Sequence, residues 1–389
     1  MENMVKAGPF HVAPFLIIKD LGYDDNVRLG AEERSGDYTV TFGPGVRAVM
    51  PLGRAAALAL YDEVDFVMFA SQTDLNHFNN TARAKLHAYT NDLTWYADGG
   101  QRYYRERPND EIDYRVRVTD TSGKLGVSYR PERRGRIDLY LGRLDHHYDS
   151  GVPEVPEGVD PNQAEEISEN IATNLERIET AAGMEGRLKI RPRTSLLMDV
   201  VSGRIDFDRA VPTRDSKTFK TMAGLDFDPS GALRGFLKVG HRHLSPDEDT
   251  LDGYSGWIAD CAVSARIAGR GDLRATYRRD TYFSTLGSNL FYLEDRGGLA
   301  YEHYINSRLS LEAGRQQAEL DYPEPLFNPD TGLTEDRLDE IFNTTLTARY
   351  RMGPSLRIGL TVGHWERDSN FDGEDNDRNT IMTIFEYTP

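Results

Sequence analysis

The chain of 389 residues contains 63 acidic and 46 basic side chains, which gives a net charge of −17 at neutral pH, and it has one cysteine. A single cysteine excludes a disulfide-stabilised scaffold and the usual cysteine-rich zinc and iron–sulfur sites. No run approaches the ~18 to 20 consecutive apolar residues of a membrane helix, so a helical membrane protein is excluded. The negative mean hydropathy does not exclude a membrane β-barrel, because only every second strand residue of such a barrel meets lipid.

Alternation of apolar and polar residues recurs along the whole chain and predicts β-strands that have one apolar face. Four clear examples are residues 38–48, 184–190, 233–240 and 356–363. In the third of these, Leu237 and Val239 flank Lys238. Helical spacing fits none of the four segments.

Short turns and long loops divide the predicted strands into hairpins. Eight short turns, rich in glycine, proline, asparagine and serine, lie at residues 51–54, 91–92, 131–135, 191–193, 228–231, 268–271, 306–307 and 352–355. Longer polar segments connect the other strand ends, among them residues 149–169, 244–254, 319–340 and 368–377. Eight turns and two terminal strands predict nine hairpins, and therefore about eighteen strands.

This layout predicts an all-β fold, a transmembrane antiparallel up-and-down β-barrel with short periplasmic turns and long acidic extracellular loops. We expect residues 1–389 to form a single outer-membrane domain. A β-sandwich would not need its turns to be short at one end only. A propeller should repeat a motif every ~40 to 50 residues, and the chain has no such repeat.

Aromatic residues near the strand ends are typical of the girdles at the two membrane interfaces. The residues concerned are Tyr103, Tyr104, Tyr148, Tyr282, Phe283, Trp365, Phe385 and Tyr387. We therefore expect the protein in the bacterial outer membrane. No secretory signal is visible near Met1, so this location requires that a signal peptide has been removed.

Acidic residues are concentrated in the long loops. Segments 149–169, 247–252, 319–340 and 368–377 contain 24 acidic residues and one basic residue, Arg337. The rest of the chain is therefore net positive. The acidic loops could be a solvated outer surface, a gate that folds onto a basic lumen, or a cation-binding rim, and the sequence leaves these alternatives open.

Basic side chains occupy the polar face of the predicted strands. The candidate lumen residues are Arg47, Arg83, Lys85, Arg187, Lys189, Arg234, Lys238, Arg242, Arg274, Arg278, Arg349 and Arg357. A barrel of this size encloses water, and its low-dielectric wall focuses the field of the lining charges, so the lumen should favour anions. The same side chains could instead form an ion-pair lattice with acidic residues such as Glu63 and Asp138, and the two interpretations are compatible.

The stretches Gly22–Asn26, Glu366–Asn370 and Asp377–Asn379, with the tyrosine- and arginine-rich hairpins between them, resemble the outer-membrane β-barrel porin type 2 family. This resemblance implies an outer-membrane barrel of a family associated with exopolysaccharide gene clusters. It further implies passage of secreted polysaccharide, and the family has no catalytic motif.

The leading hypothesis is an outer-membrane channel that exports an anionic exopolysaccharide through the cation-lined lumen. One alternative is a general or solute-specific diffusion porin, and another is a structural or partner-binding barrel with a plugged lumen. The expected partners are outer-membrane lipid, the polysaccharide or small anionic solutes, and periplasmic export or assembly proteins. The longest loop, 149–180, is predicted to contain a short helix or to constrict the pore.

Asp368, Asn370 and Asp372 precede Gly373 in the manner of a calcium loop. The glutamate that such a loop needs at its twelfth position is Asn379, so an ordinary acidic hairpin loop is the alternative. No other cofactor is predicted. The sequence shows no nucleophile–base pair, phosphate loop or basic arm, and it predicts neither an enzyme nor a nucleic-acid-binding protein.

Overall fold

The computed structural model describes residues 4–30, 34–113, 115–130, 134–149, 169–208, 213–228, 230–328, 331–353, 355–371 and 374–387. The strands are β1 (Val5–Ala7), β2 (Phe10–Asp24), β3 (Asp37–Leu52), β4 (Ala56–Phe69), β5 (His77–Thr90), β6 (Leu93–Glu106), β7 (Val116–Tyr129), β8 (Gly135–Tyr148), β9 (Arg177–Arg191), β10 (Thr194–Phe207), β11 (Ser216–Phe227), β12 (Leu233–Pro246), β13 (Tyr254–Ile267), β14 (Gly271–Phe283), β15 (Phe291–Tyr304), β16 (Leu309–Asp321), β17 (Leu326–Asn328), β18 (Leu333–Glu335), β19 (Leu338–Arg351), β20 (Leu356–Ser369) and β21 (Asn376–Tyr387). A 3-10 helix spans Thr73–Leu75, and residues 169–175 form helix α1. Among the described residues, no helix is long and apolar enough to cross a bilayer.

Eighteen strands, β2 to β16 and β19 to β21, form one closed antiparallel barrel. Each pairs with its neighbours in the chain order, and β2 closes the ring by pairing with β21, where Ile18 lies opposite Phe385. Strand β1 adds only three pairs to β2, and β17 pairs with β18 as a separate hairpin. The prediction of an up-and-down barrel with about eighteen strands is confirmed.

The eight short turns join strands at one end of the barrel, as the sequence predicted. Two of them use a glycine with positive φ, Gly53 and Gly269, each at +69°. A residue with a β-carbon adopts this left-handed conformation only at a cost, whereas glycine does not. The chain can therefore reverse direction between β3 and β4, and between β13 and β14, within a few residues.

The outward face of the barrel is apolar. Leu125, Leu141 and Leu346 are 63%, 65% and 58% exposed on the protein surface. A continuous belt of such residues is unfavourable in water and is stable where lipid hydrocarbon covers it. Near the periplasmic turns the same exposed face includes the aromatic residues Trp95, Tyr129, Tyr301, Tyr350 and Tyr387.

The buried apolar clusters lie towards the extracellular end of the barrel. In the largest, Val116, Val118 and Tyr148 pack with Ile171 and Leu175 of α1. A second cluster joins β10, β12 and β15, and a third joins β15, β16 and β19. These clusters hold the loops and α1 against the inner wall.

Five aromatic residues that the sequence placed in the interfacial girdles have a different role, so that prediction was wrong for them. Tyr104, Tyr148, Tyr282, Phe283 and Trp365 belong to the buried clusters or pack against them. Outward positions near the same strand ends are charged, for example Arg143 and Asp145. These strand ends therefore project above the hydrocarbon, and their aromatic side chains support loops.

Candidate solute pathway

The connection between β6 and β7 turns into the lumen, and we call its residues 107–113 the constriction segment. Asn109 Nδ2 donates a 3.4 Å hydrogen bond to the carbonyl oxygen of Phe283, at the end of β14. Asp110 forms an ion pair with Arg296 on β15. Because β14 and β15 lie eight strands from β6 and β7 in the eighteen-strand ring, the segment crosses the lumen.

A buried ion pair anchors the constriction segment to β20. Arg367 Nη2 lies 2.7 Å from Asp113 Oδ2, and Arg367 is 2% exposed. Its Nη1 donates a 3.3 Å hydrogen bond to the carbonyl oxygen of Asp110. Asn376 Nδ2 of β21 donates to the same Asp113 oxygen at 3.1 Å. Two adjacent strands thus hold one carboxylate by charge-assisted hydrogen bonds, which are stronger than neutral ones.

A second anchor joins Glu111 to the loop after β14. Its Oε1 accepts a 2.6 Å hydrogen bond from Ser284 Oγ. Its Oε2 accepts hydrogen bonds from Thr285 N at 2.6 Å and from Thr285 Oγ1 at 2.9 Å. Burial raises the pKa of the Glu111 carboxyl, while the hydrogen bonds to its ionised form oppose the rise. Glu111 is therefore held by three short hydrogen bonds from this loop, and its burial favours the protonated form of the carboxyl.

The stretches that resemble the porin family meet beside these anchors. Asp24 forms an ion pair with Arg378, and Asn26 Nδ2 donates a 3.1 Å hydrogen bond to Asn376 Oδ1. Asn376 is the residue that also binds Asp113. The two ends of the chain come together because β2 closes the barrel against β21. In this structure their polar residues hold the constriction segment in place.

The constriction segment separates two cavities of about 510 and 520 Å³. Arg107, Arg115 and Arg378 line both cavities. Burial lowers the pKa of the Arg107 guanidinium. The acidic residues around them are Asp20 and Asp24 in the first cavity, and Glu106, Asp110 and Glu294 in the second. Arginines therefore flank the passage between two chambers that also contain carboxylates.

Helix α1 packs against the constriction segment from the extracellular side. Ile171 and Leu175 pack on the wall, and Asn174 Nδ2 donates a 2.8 Å hydrogen bond to the carbonyl oxygen of Thr285, which binds Glu111. Residues 150–168, most of the loop in which the sequence predicted a helix or constriction, lie outside the described residues. The sequence analysis did not identify 107–113 as the segment that crosses the lumen. The sequence offers little to identify this segment, because it is short and differs from other loops only in its high content of charged residues.

The strand register places all twelve candidate lumen cations on one face. Arg278 pairs directly with Arg296 across β14 and β15, so this is the face that contacts the constriction segment. Eight of the twelve are in ion pairs: Lys85 with Asp98, Arg187 with Asp226, Arg234 with Asp272, Lys238 with Asp199, Arg242 with Asp280, Arg274 and Arg349 with Glu312, and Arg357 with Glu386. All of these pairs join different strands, which agrees with the ion-pair lattice considered above.

Four of the candidate cations have no carboxylate partner among the described residues, namely Arg47, Arg83, Lys189 and Arg278. The Arg47 guanidinium lies 4.7 Å from the centre of the Phe15 ring, and that of Arg278 lies 5.2 Å from the Tyr282 ring. Arg278 also lines the second cavity. Lys189 is near the periplasmic end of β9. These four charges, from the constriction to the periplasmic half, are available to a solute.

The residues of the predicted calcium loop are only partly described. Asp372 lies outside the described residues, and Asp368 and Asn370 are near the end of β20. Asn370 Oδ1 accepts a 2.8 Å hydrogen bond from Leu338 N, and its Nδ2 donates a 2.8 Å bond to the carbonyl oxygen of Asp336. Within the described part of the chain, no group of three or more His, Cys, Asp or Glu side chains could hold a metal ion.

Comparison with known proteins identifies the kind of barrel. The family model described as "Putative beta-barrel porin 2" matches residues 5–385. The outer membrane protein OpdK of Pseudomonas aeruginosa has a TM-score of 0.57 and 12% identity, over 97% of this chain and 99% of that chain. The structure of OpdK with vanillate gives 0.55 and 12%, over 97% and 98%. The structure of OccK2 (OpdF) of the same organism in complex with glucuronate gives 0.56 and 13%, over 97% and 98%. No curated protein matches the chain.

Proposed function

The chain belongs to this beta-barrel porin family, and on that basis we propose that it is a solute-selective diffusion channel for small organic anions. This is the second of the hypotheses that the sequence suggested. Neither the family match nor the similar structures support export of a polysaccharide. The observation that carries the proposal is the constriction segment, which is anchored across the lumen with arginines on both sides.

The size of the passage favours small solutes over a polymer. The two cavities beside the constriction segment have volumes of about 510 and 520 Å³, and sites of roughly 300 to 1,000 Å³ suit single small molecules. A polysaccharide strand would have to displace the segment. That displacement would break the buried pair of Arg367 with Asp113 and leave Glu374, at 3.4 Å, as the carboxylate partner of Arg367, which costs about 1 to 3 kcal/mol.

The charges of the lumen favour carboxylates. A guanidinium binds a carboxylate through two parallel hydrogen bonds, and Arg278 at the second cavity has no carboxylate of its own among the described residues. Passage also needs binding that is weak enough to release the solute. Arg278, Arg83, Arg47 and Lys189 form a series of separate weak sites, because each is a single charge in a hydrated lumen.

Two of the similar structures are complexes with a carboxylate, OpdK with vanillate and OccK2 with glucuronate. At 12% and 13% identity these barrels share the fold with this chain, and the ligands are theirs. They make monomeric carboxylates the natural first probes. Glucuronate also distinguishes the two hypotheses, since it is the unit of a uronate polymer.

Single-channel recording in a planar bilayer tests the proposal. We expect anion selectivity under a KCl gradient and brief blocks by glucuronate. Arg278→Gln should weaken the block about tenfold, as the loss of one charged hydrogen-bonding group predicts. Arg274→Gln is the matched control on the same strand, because Arg274 is paired with Glu312 and should change the block less than about twofold.

Four results would contradict the proposal. Cation selectivity, or a steady current that glucuronate does not affect, would indicate a general porin. Block by long oligo-uronates with no effect of the monomer would favour polysaccharide export. Absence of current through well-folded barrels would indicate a plugged barrel that binds a partner.

A further inference from the structure

The periplasmic end of the barrel is ringed by arginines. Six of the eight short turns contain an arginine or are flanked by one, and the described arginines concerned are Arg54, Arg130, Arg134, Arg136, Arg191, Arg193, Arg270, Arg308 and Arg351. On the same criterion, the described acidic residues of all eight turns are Asp92, Asp228 and Asp272. The periplasmic rim is thus strongly positive in a protein whose net charge is −17.

Most of the rim arginines are not neutralised by the protein. All nine are exposed, and among the described residues only Arg136 lies within ion-pair distance of a carboxylate, that of Asp138. This distinguishes them from the lumen cations, eight of which are paired. Charges that the fold does not use for its own stability are free to act on molecules that approach the mouth.

Two of the rim arginines belong to a defined groove. The turns β15–β16 and β19–β20 enclose a space of about 420 Å³ that includes Arg308, Arg349, Arg351 and Arg357 in its lining. The Arg351 N–H donates a 2.8 Å hydrogen bond to the carbonyl oxygen of Arg308, so the two residues are adjacent. Arg351 also lies opposite Arg357 in the strand register. The groove therefore opens on the inward face.

Carboxylates fix two of the groove arginines and leave the other two available. Arg349 is 3.1 Å from Glu312, and Arg357 is 3.5 Å from Glu386. Arg308 and Arg351 have no such partner among the described residues. The lining also includes the carboxylates of Glu302 and Glu386. Four guanidinium groups outnumber them, and two of the four have no carboxylate partner of their own in the described part of the chain.

The opposite mouth has the opposite charge. The extracellular segment 247–252, for example, contains four acidic residues and no basic residue. A field of one sign at a narrow opening raises the local concentration of the opposite ion and its association rate. An anion should therefore enter faster from the periplasmic side than from outside.

We propose that the periplasmic mouth is the capture side for organic anions, with the groove around Arg308 and Arg351 as their first binding site. This inference rests on the proposed function. The channel is passive, so capture at this mouth changes the rates of transport in both directions by the same factor. The equilibrium distribution of the solute across the membrane is unchanged. The expected ligand is a small monomeric carboxylate, which the groove can bind through its guanidinium groups.

Glucuronate block measured from each side tests the proposal. The orientation of each channel can be identified by streptavidin block of a biotinylated Asp249→Cys variant in a Cys261→Ala background. At ~0.1 M KCl we expect the on-rate from the periplasmic side to be about tenfold higher, within the range of electrostatic steering. The difference should nearly vanish at 1 M KCl, where the screening length falls from about 10 Å to about 3 Å.

The double variant R308Q/R351Q should lower the periplasmic on-rate about fivefold and leave the extracellular on-rate unchanged. The double variant R143Q/R315Q is the matched control. It removes the same charge from outward positions of β8 and β16 and should change neither on-rate. All substituted residues are exposed, so folding should be retained.

The outcomes separate the two proposals. Glucuronate events with equal on-rates from both sides would overturn capture at the periplasmic mouth and leave the anion channel intact. Absence of glucuronate events from either side would overturn both. Equal on-rates combined with a loss of thermal stability of R308Q/R351Q only in anionic phospholipid would show that the arginines bind lipid phosphates instead.

Discussion

Arg367 and Asp113 are 254 positions apart in the chain, and they form a 2.7 Å ion pair inside the barrel. The Arg367 side chain is 2% exposed, and Asp113 is 14% exposed. A charge that is buried this far is stable only while carboxylates pair with it, and the second carboxylate partner of Arg367 is Glu374, at 3.4 Å. The pair therefore couples the position of the constriction segment to the β20–β21 hairpin, whose second strand closes the barrel against β2.

Asp113→Ala should both destabilise the barrel and widen the pore. It removes the nearer carboxylate of the buried Arg367 and leaves Glu374, at 3.4 Å, as its carboxylate partner, a change that costs about 1 to 3 kcal/mol. We expect a lower unfolding temperature in heat-modifiability gels and a higher single-channel conductance. Asp74→Ala, which removes an exposed partner of Arg28, is the control and should change neither. Unaltered conductance with Asp113→Ala would show that the segment is held by other contacts.

Anchoring by Glu111 should weaken as the pH rises. Burial raises the pKa of this carboxyl, so the folded state binds the proton more readily than the unfolded state. Its contribution to stability is complete below the ordinary glutamate pKa and is lost as the pH rises through the raised value. We expect the wild type to show fewer conductance fluctuations at pH 5 than at pH 8. Glu111→Gln, which is neutral, should remove this pH dependence. If the variant kept the pH profile of the wild type, Glu111 would not be the group responsible.

Gly224 should be indispensable for barrel assembly. A β-carbon at this position would lie 1.9 Å from the carbonyl oxygen of Leu237 on the neighbouring strand, so the backbones would have to move apart. We expect Gly224→Ala to cost about 1 to 3 kcal/mol and to slow folding into detergent micelles. Gly123→Ala is the control, because its β-carbon would meet nothing within 4 Å. Equal folding yields of the two variants would contradict the close approach of β11 and β12.

The two faces of β12 should tolerate charge differently. Leu237 is 41% exposed on the lipid side, whereas Lys238 pairs with Asp199 at 2.9 Å on the inward side. An arginine on the lipid face costs about 2 to 4 kcal/mol near the bilayer midplane. We expect Leu237→Arg to prevent insertion into liposomes and Lys238→Gln to insert normally. Equal insertion of both variants would require a one-residue shift of the strand register.

Much of the barrel was predictable from the sequence because its determinants are local. Alternation with a period of two marks each strand and both of its faces. The sequence alone therefore predicted that Arg278 and Lys238 lie on the polar face, towards the lumen. Turn residues such as Gly53 are equally local, and they gave the number of strands. The acidic character of segment 247–252 needed only composition. None of these features depends on which strands meet when the sheet closes.

The constriction could not be predicted in the same way, because it depends on contacts across the barrel. Arg367 and Asn376 lie opposite each other in the β20–β21 hairpin, but Asp113 reaches them only when the segment after β6 crosses the lumen of the closed barrel. Pairing of charges is also a tertiary property, since the sequence does not distinguish Arg274, which is bound to Glu312, from Arg278, which is not. The sequence thus determined the wall of the channel. Only the closed barrel determined where that wall is narrowed and which of its charges are left for a solute.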